Sequence, residues 1–219
     1  MKPIEVSLFG ATGLIGELIL EILVNDVYFN KINVLTRNSF PSNNKKVHLH
    51  IIDFSDTKMI SKIIQKSSLV FASIGTTQKK VKGDKEAYRK IDYDIIVNIA
   101  KACKENNVKN FSFVSSSGAD LNSNSFYLNL KGEIEDSVLG LKLPSTSVFR
   151  PSLLLGKRSE NRFGEKIAQL IMPIISFLMP SIYKPIEAKY VAKSMVNISK
   201  KTIPGSKIYH YNEIINSLY

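Results

Sequence analysis

The chain has 219 residues, of which 44% are hydrophobic and 22% charged, a composition expected to fold as one domain around a substantial core. Its formal net charge of +11 comes mostly from scattered lysines without interleaved aromatic residues, which argues against a nucleic-acid partner. The single cysteine, Cys103, excludes an intramolecular disulfide, and the three histidines lack a metal-ligand spacing, so no metal site is predicted.

The first predicted strand runs directly into a glycine-rich turn and then into a helical pattern. The spacing of these glycines is GxxGxxG, which differs from the GxGxxG dinucleotide fingerprint. Gly10 suits a sharp turn, Gly13 the close approach of a phosphate to backbone N–H groups, and Gly16 the packing of helix on sheet. An ordinary tight turn between strand and helix is the alternative interpretation. The predicted phosphate-binding residues are Gly10, Thr12, Gly13, Leu14, Ile15 and Gly16.

Apolar segments of strand length alternate with segments of helical periodicity as far as about residue 150. This alternation predicts βαβ units and a parallel sheet. The fold class is therefore α/β, a doubly wound parallel sheet of the Rossmann type. The predicted strands lie near residues 4–9, 31–36, 47–52, 69–74, 111–115 and 146–149, and the predicted helices cover 14–24, 56–66 and 84–106.

The end of the second predicted strand bears on the choice of cofactor. Enzymes that use NAD place an acidic residue there for the ribose 2′-hydroxyl, whereas a basic residue suits the 2′-phosphate of NADP. This chain has Thr36 and Arg37 at that point. NADP(H) is therefore favoured over NAD(H), with a solvent-exposed arginine at the start of a loop as the alternative.

A pair of residues with acid–base character follows the strand near 111–115. Tyr127 and Lys131 are four residues apart at the start of a predicted helix, so they share one face. A phenol is a weak acid at neutral pH, and a neighbouring ammonium stabilises its phenolate, which allows proton exchange with a substrate oxygen. Ser116 or Ser117, at the end of the strand, would hold that oxygen. A surface tyrosine beside a solvated lysine is the alternative.

The alternation of strands and helices stops after Pro151. A very apolar segment, residues 167–182, is interrupted by two prolines, and its uncharged run is too short to span a membrane. A lid over a substrate pocket is the preferred interpretation, with core helices and peripheral membrane contact as alternatives. A late helix over 188–199 and a short strand near 207–209 complete the sheet.

The likeness to a known family extends from Ile4 to about Arg162. The glycine spacing resembles that of extended and atypical members of the short-chain dehydrogenase/reductase superfamily. Residues 111–120, 127–135 and 147–162 resemble more narrowly the Tat-interacting-protein group (oxidoreductase HTATIP2) of atypical members. The resemblance implies a seven-stranded Rossmann sheet, a nicotinamide cofactor and a Ser/Tyr/Lys active site.

Residue roles follow from the resemblance. Tyr127 would donate or accept the proton, Lys131 would also bind the nicotinamide ribose, and Ser116 is slightly favoured over Ser117 as the catalytic serine. Asp53 resembles the residue that receives the adenine amino group, although a helix cap by Asp53 or Asp56 is an equal alternative. Further cofactor contacts implied by the resemblance are Ile74, Gly75, Leu154 and Arg162.

One position departs from the family pattern. The family frequently has an asparagine in the frame Y-x-x-x-N, and this chain has Tyr88 and Asp92 there. A water relay through this position is therefore not implied, and a local cap or pairing by Asp92 is the alternative.

The predicted function is NADPH-dependent hydride transfer to a carbonyl or activated double bond of a hydrophobic small molecule. An NADPH-sensing adaptor for a protein partner is the alternative, and a homodimer through helix 84–106 stays open. The predicted single domain comprises a cofactor-binding core over 1–150, a substrate-pocket and lid region over 151–206, and a closing strand and helix over 207–219. No N-terminal secretory signal is present, which predicts a cytoplasmic protein without a transmembrane segment.

Overall fold

The computed structural model describes residues 4–77, 80–156 and 180–219. Within those ranges, short helical turns lie at Lys90–Asp94 (a π-turn) and Ser181–Tyr183. The strands and α-helices in chain order are β1 (Ile4–Phe9), α1 (Leu14–Asn25), β2 (Phe29–Thr36), β3 (Val47–Ile51), α2 (Thr57–Ile64), β4 (Leu69–Ala72), α3 (Lys85–Arg89), α4 (Ile95–Glu105), β5 (Asn110–Val114), α5 (Phe126–Gly140), β6 (Ser145–Phe149), β7 (Leu154–Leu155), β8 (Ile186–Glu187), α6 (Ala188–Lys201), β9 (Gly205–Tyr209) and α7 (Tyr211–Asn216).

Seven of the strands form one parallel sheet in the order β3-β2-β1-β4-β5-β6-β9. The chain winds outward from β1 in one direction through β2 and β3, then crosses back to β4 and continues in the other direction. The order reverses between β1 and β4, and open α/β sheets bind ligands at this point, outside the carboxyl ends of the strands. The predicted doubly wound Rossmann fold in a single domain is confirmed.

Both faces of the sheet are covered, so its central strands are buried along most of their length. All four residues of β4 are buried, as are the last four of β1. Phe111 and Phe113 belong to the core beneath α2, α4 and α5, whereas Phe71 and Val34 belong to the core beneath α1 and α6. Cys103 lies fully inside the first of these cores, and its burial raises the pKa of the thiol, which keeps it unreactive.

The predicted helix over 84–106 is interrupted. Asp84 caps α3 by accepting hydrogen bonds from the N–H groups of Glu86 and Ala87, and the π-turn then separates α3 from α4. A single π-turn shifts the helical register and is frequent at functional sites. Here it contains Asp92, which is 1% exposed. Hydrophobic periodicity alone does not reveal this interruption, because Ile91 and Ile95 on either side of Asp92 still keep helical spacing.

The C-terminal part of the chain adds a second small sheet. β7 pairs with β8 in parallel, and α6 and β9 follow as predicted, with β9 on the edge of the main sheet beside β6. Most of the predicted lid segment, 167–182, lies outside the described residues. Among the helices that the structure describes, none is both long and apolar enough to cross a bilayer.

Candidate active site

The glycine turn after β1 brings three backbone segments into direct contact. Gly10 has a φ of +84°, and a Cβ at this position would lie 2.7 Å from the carbonyl oxygen of Ser73. A Cβ on Gly16 would lie 1.9 Å from the carbonyl oxygen of Gly10. The N–H of Gly13 donates to that same oxygen at 3.0 Å. The turn, the first turn of α1 and the segment after β4 therefore pack without side chains between them, as a phosphate-binding turn requires.

A cleft of about 310 Å³ opens at the point where the strand order reverses. Its lining residues come from the glycine turn, from the loop after β4, from the π-turn, from the end of β5, from α5 and from β7. They are Thr12, Gly13, Leu14, Ile15, Ser73, Ile74, Gly75, Thr76, Thr77, Lys80, Asp92, Val114, Ser115, Tyr127, Lys131 and Leu154. Predicted residues from four separate stretches of sequence thus meet in one cavity.

Tyr127 and Lys131 lie together in this cleft. The Nζ of Lys131 is 5.8 Å from the centroid of the Tyr127 ring. That ammonium donates a hydrogen bond of 2.7 Å to Oδ2 of Asp92, and Oδ1 of Asp92 accepts one of 2.7 Å from the N–H of Thr76. The position of the family's asparagine is therefore occupied by a charged partner of Lys131. Asp92 pairs with a residue of the site rather than capping a helix.

A second tyrosine packs against Tyr127 and was not among the predicted site residues. Tyr88 is 3% exposed, and its ring meets that of Tyr127 edge-on with 6.4 Å between centroids. Its hydroxyl donates to the carbonyl oxygen of Thr76 at 3.0 Å. Burial, reinforced by the charge of Asp92, raises the pKa of Tyr88 far above its ordinary value. Tyr88 is therefore a neutral hydrogen-bond donor that holds the loop after β4.

Of the three consecutive serines after β5, Ser115 is the one that lines the cleft. Its hydroxyl donates to the carboxylate of Glu135, which is 3% exposed, and Arg150 binds the same carboxylate through Nε at 2.9 Å and Nη2 at 2.6 Å. Ser116 and Ser117 do not line the cleft. The hydroxyl of Ser116 donates to the Ser117 carbonyl at 3.3 Å, and that of Ser117 to the Ile182 carbonyl at 2.7 Å.

Which serine lies at the cleft depends on the register between β5 and β6, which local sequence patterns do not reveal. The N–H of Ser115 donates to the Phe149 carbonyl at 2.7 Å and so prolongs the pairing of β5 with β6 by one residue. The first serine of the run therefore lies at the carboxyl edge of the sheet, and the next two lie in the loop beyond it.

A second cavity, of about 520 Å³, lies over the ends of β2 and β3. Arg37 and Asp53 line it from these strand ends, and Lys90 and Lys101 line it from the helical side. Ile91 lines this cavity while Asp92, the next residue, lines the cleft, so the two cavities flank the π-turn.

The carboxylate of Asp53 faces solvent and accepts a hydrogen bond of 2.9 Å from the N–H of Ser55, which lowers the pKa of Asp53. The cap of α2 is Asp56, whose Oδ1 accepts from the N–H of Met59 at 2.9 Å. Asp53 is therefore not the cap of α2.

The remaining predicted residues lie around these cavities. Gly10 and Gly16 form the packed turn behind the cleft, and Thr36 is buried at the end of β2, where its hydroxyl donates to the Asn38 carbonyl. Arg162 lies outside the described residues.

The fold and the cleft define an NAD(P)H-binding Rossmann protein. A family model described as NAD(P)H-binding matches residues 10–144. The chain belongs to this family, and within it to the atypical short-chain dehydrogenases/reductases that include the relatives FMP52 and HTATIP2.

Two relatives and one solved structure illustrate the likeness. The FMP52 protein of Candida albicans, named mitochondrial, is 35% identical over 204 residues, which cover 90% of this chain and 89% of that protein. HTATIP2 of Rattus norvegicus is 31% identical over 77% of this chain and 70% of that protein. The UDP-N-acetylglucosamine 4-epimerase of Methanobrevibacter ruminantium superposes with a TM-score of 0.74 at 20% identity, over 99% of this chain and 81% of that one. At that identity the structural likeness shows the fold alone.

The prediction of a cytoplasmic location is wrong. The relative from Candida albicans is named a mitochondrial protein, and further FMP52 relatives carry the same description. The prediction relied on the absence of a secretory signal. That absence does not separate cytoplasm from mitochondria, because mitochondrial targeting uses a different, arginine-rich amphipathic signal.

Proposed function

We propose that the protein is an NADPH-dependent oxidoreductase that reduces a carbonyl or activated double bond of a hydrophobic small molecule, with Tyr127 as the proton donor. One observation carries the proposal: Tyr127, Lys131 and Ser115 line the same cleft as the glycine turn. A dinucleotide seated on the turn and a substrate beside Tyr127 would share that cavity.

The residues present suit a nicotinamide dinucleotide. The glycine turn leaves no Cβ between β1 and the first turn of α1. The first N–H groups of α1, at Leu14 and Ile15, have no acceptor within the helix. They form the positive end of the helix dipole, which favours binding of a pyrophosphate. When bound, the nicotinamide would supply the hydride for the reduction.

The protein's own part in the reaction would be proton delivery. The Tyr127 hydroxyl would donate its proton to the substrate oxygen or carbon that gains negative charge. The Lys131 ammonium, 5.8 Å from the ring, would stabilise the phenolate that remains. Ser115, whose own hydrogen is directed at Glu135, would offer the cleft its oxygen lone pairs and accept a hydrogen bond from a ligand.

The second cavity supports the preference for NADPH. Arg37 lies at its rim directly after β2, where the adenosine ribose lies in Rossmann proteins. With Lys90 and Lys101 on the opposite side, the cavity offers positive charge for a 2′-phosphate, and Asp53 would face the adenine. Leu154, which lines the cleft, would lie between the cofactor and the substrate. Residues 1–150 would form the cofactor-binding core, and residues 151–206 would form the substrate-covering region. Arg162 and a dimer contact through α4 stay predictions, and a mitochondrial location accompanies the proposal.

The test is consumption of NADPH by the purified protein with a panel of hydrophobic aldehydes, quinones and enones. Tyr127→Phe should lower turnover by about 100-fold or more, because it removes the proton donor, and should leave NADPH binding within about twofold. Tyr28→Phe, a tyrosine packed on Phe29 away from the cleft, is the matched control. Unchanged turnover in Tyr127→Phe would reject the mechanism. NADPH binding without turnover on any probe would favour the adaptor alternative.

A further inference from the structure

The pair formed by Asp92 and Lys131 is buried at the floor of the cleft. The two side chains are 1% and 6% exposed, and their charged atoms are 2.7 Å apart. Removing two charges from water is costly, and a buried ion pair seldom stabilises a fold more than an apolar pair of the same size. Stability alone therefore does not account for this pair.

Asp92 joins three segments of the site. It lies in the π-turn, its Oδ1 accepts the N–H of Thr76 in the loop after β4, and its Oδ2 accepts a hydrogen from Lys131 on α5. A Cβ on Gly75 would lie 3.7 Å from the same Oδ2, so the carboxylate lies directly beneath the loop. With both oxygens bonded, Asp92 has one position, and that position determines where the ammonium of Lys131 lies.

The charge of Asp92 also acts on the phenol through Lys131. An ammonium favours the phenolate of a neighbouring tyrosine, and a carboxylate bound to the ammonium opposes that effect. The cleft thus contains a positive charge 5.8 Å from the Tyr127 ring and a negative charge bonded to it.

We propose that Asp92 is a positioning residue that holds Lys131 in the cleft and, by partly neutralising its charge, keeps the Tyr127 phenol protonated over a wider range of pH. The proposal rests on the function proposed above. It distinguishes this chain from the asparagine pattern of the family, because an amide in this place would bond the loop without countering the ammonium.

Other titratable groups lie near Tyr127. Among the described residues, Lys80 lines the same cleft from the loop before α3, and Tyr88 packs on the ring from α3. Two further ion pairs involve α5: the partly exposed Arg89–Glu133 pair and the Glu135–Arg150 pair behind Ser115. These groups are unchanged in the comparison below, so a difference between variants reports the charge of Asp92.

The experiment compares the unmodified protein with Asp92→Asn, and with Glu133→Gln as a control that removes a carboxylate from the same region outside the cleft. Reduction requires the protonated phenol, so turnover falls as pH rises and the phenolate forms. In Asp92→Asn this fall should begin at a pH lower by roughly one unit, because the ammonium is no longer neutralised. Glu133→Gln should leave the pH dependence of turnover unchanged.

A second readout does not depend on turnover. The phenolate absorbance of each protein is measured across the pH range, and that of its Tyr127→Phe counterpart is subtracted, which leaves the contribution of Tyr127. It should appear at lower pH in Asp92→Asn than in the unmodified protein. An unshifted phenolate signal and an unshifted rate profile in Asp92→Asn would overturn the proposal. If Asp92→Asn does not fold, Asp92→Ser removes the same charge with a smaller side chain and is measured in its place.

The two proposals fail in different ways. If Tyr127→Phe retains turnover, the proposed function fails, while the absorbance titration still measures the effect of Asp92 on the phenol. If the titration midpoint is the same with and without the Asp92 carboxylate, the positioning proposal fails even where Tyr127→Phe abolishes turnover.

Discussion

The cleft and the second cavity are built from the same sheet edge, yet their charges are placed differently. At the floor of the cleft the Lys131–Asp92 ion pair is buried, and behind Ser115 the Glu135 carboxylate is buried and bound by Arg150. Around the second cavity Arg37 is exposed, and the Asp53 carboxylate faces solvent. Buried charges act over short distances in a low dielectric, whereas exposed ones are screened. This contrast is the basis for the proposal that the cleft carries the chemistry and that the second cavity selects between similar cofactors.

The largest effect that would sharpen this contrast is expected from Lys131→Met. The change removes the ammonium beside Tyr127 and leaves Asp92 as an uncompensated buried charge. Turnover should fall by about 100-fold or more, and the free energy of unfolding should drop by about 3–5 kcal/mol. Steady-state kinetics and denaturant unfolding measure the two effects. Lys104→Met, on the outer side of α4, serves as the control, and a fully active, equally stable Lys131→Met protein would contradict the description of the cleft.

A smaller and more selective effect is expected from Arg37→Ala at the second cavity. The Kd for NADPH should rise roughly tenfold, since one charge-assisted hydrogen bond to a phosphate is lost, while the Kd for NADH should stay nearly constant. Fluorescence titration with both cofactors measures the ratio of the Kd for NADPH to the Kd for NADH. Lys45→Ala, which removes one positive charge from the loop after β2, controls for net charge. Equal weakening of both cofactors would remove Arg37 as the basis of the preference.

The smallest effect is expected from Tyr88→Phe, which keeps the aromatic contact with Tyr127 and removes only the hydrogen bond to Thr76. The free energy of unfolding should fall by about 1 kcal/mol. The KM for NADPH should rise about twofold, because the loop after β4 is held less firmly. Thermal unfolding and kinetics measure these changes, with Tyr28→Phe as the control. A loss of turnover as large as that of Tyr127→Phe would show that Tyr88, not only Tyr127, takes part in the chemistry.

Local patterns in the sequence were sufficient for the architecture. The inner strands of a parallel sheet covered on both faces are short segments rich in apolar residues, and the covering helices carry an apolar stripe, so strands and helices can be recognised separately. Gly10 and Gly16 were recognisable for the same reason, since their roles depend on the turn in which they stand. The i, i+4 spacing of Tyr127 and Lys131 likewise follows from the geometry of a single helix.

Tertiary structure decided which side chains meet. Tyr88, Asp92 and Thr76 belong to different segments, and their contact with α5 depends on the π-turn, which leaves no mark in hydrophobic periodicity. Which of the three serines lines the cleft depends on how far β5 pairs with β6, a matter of one residue of register. Sequence therefore determined the fold and the residue types of the site, because these follow from short-range periodicity. Partners and orientation were decided by the packing of distant segments, since a buried charge takes its partner from whichever segment the fold places beside it.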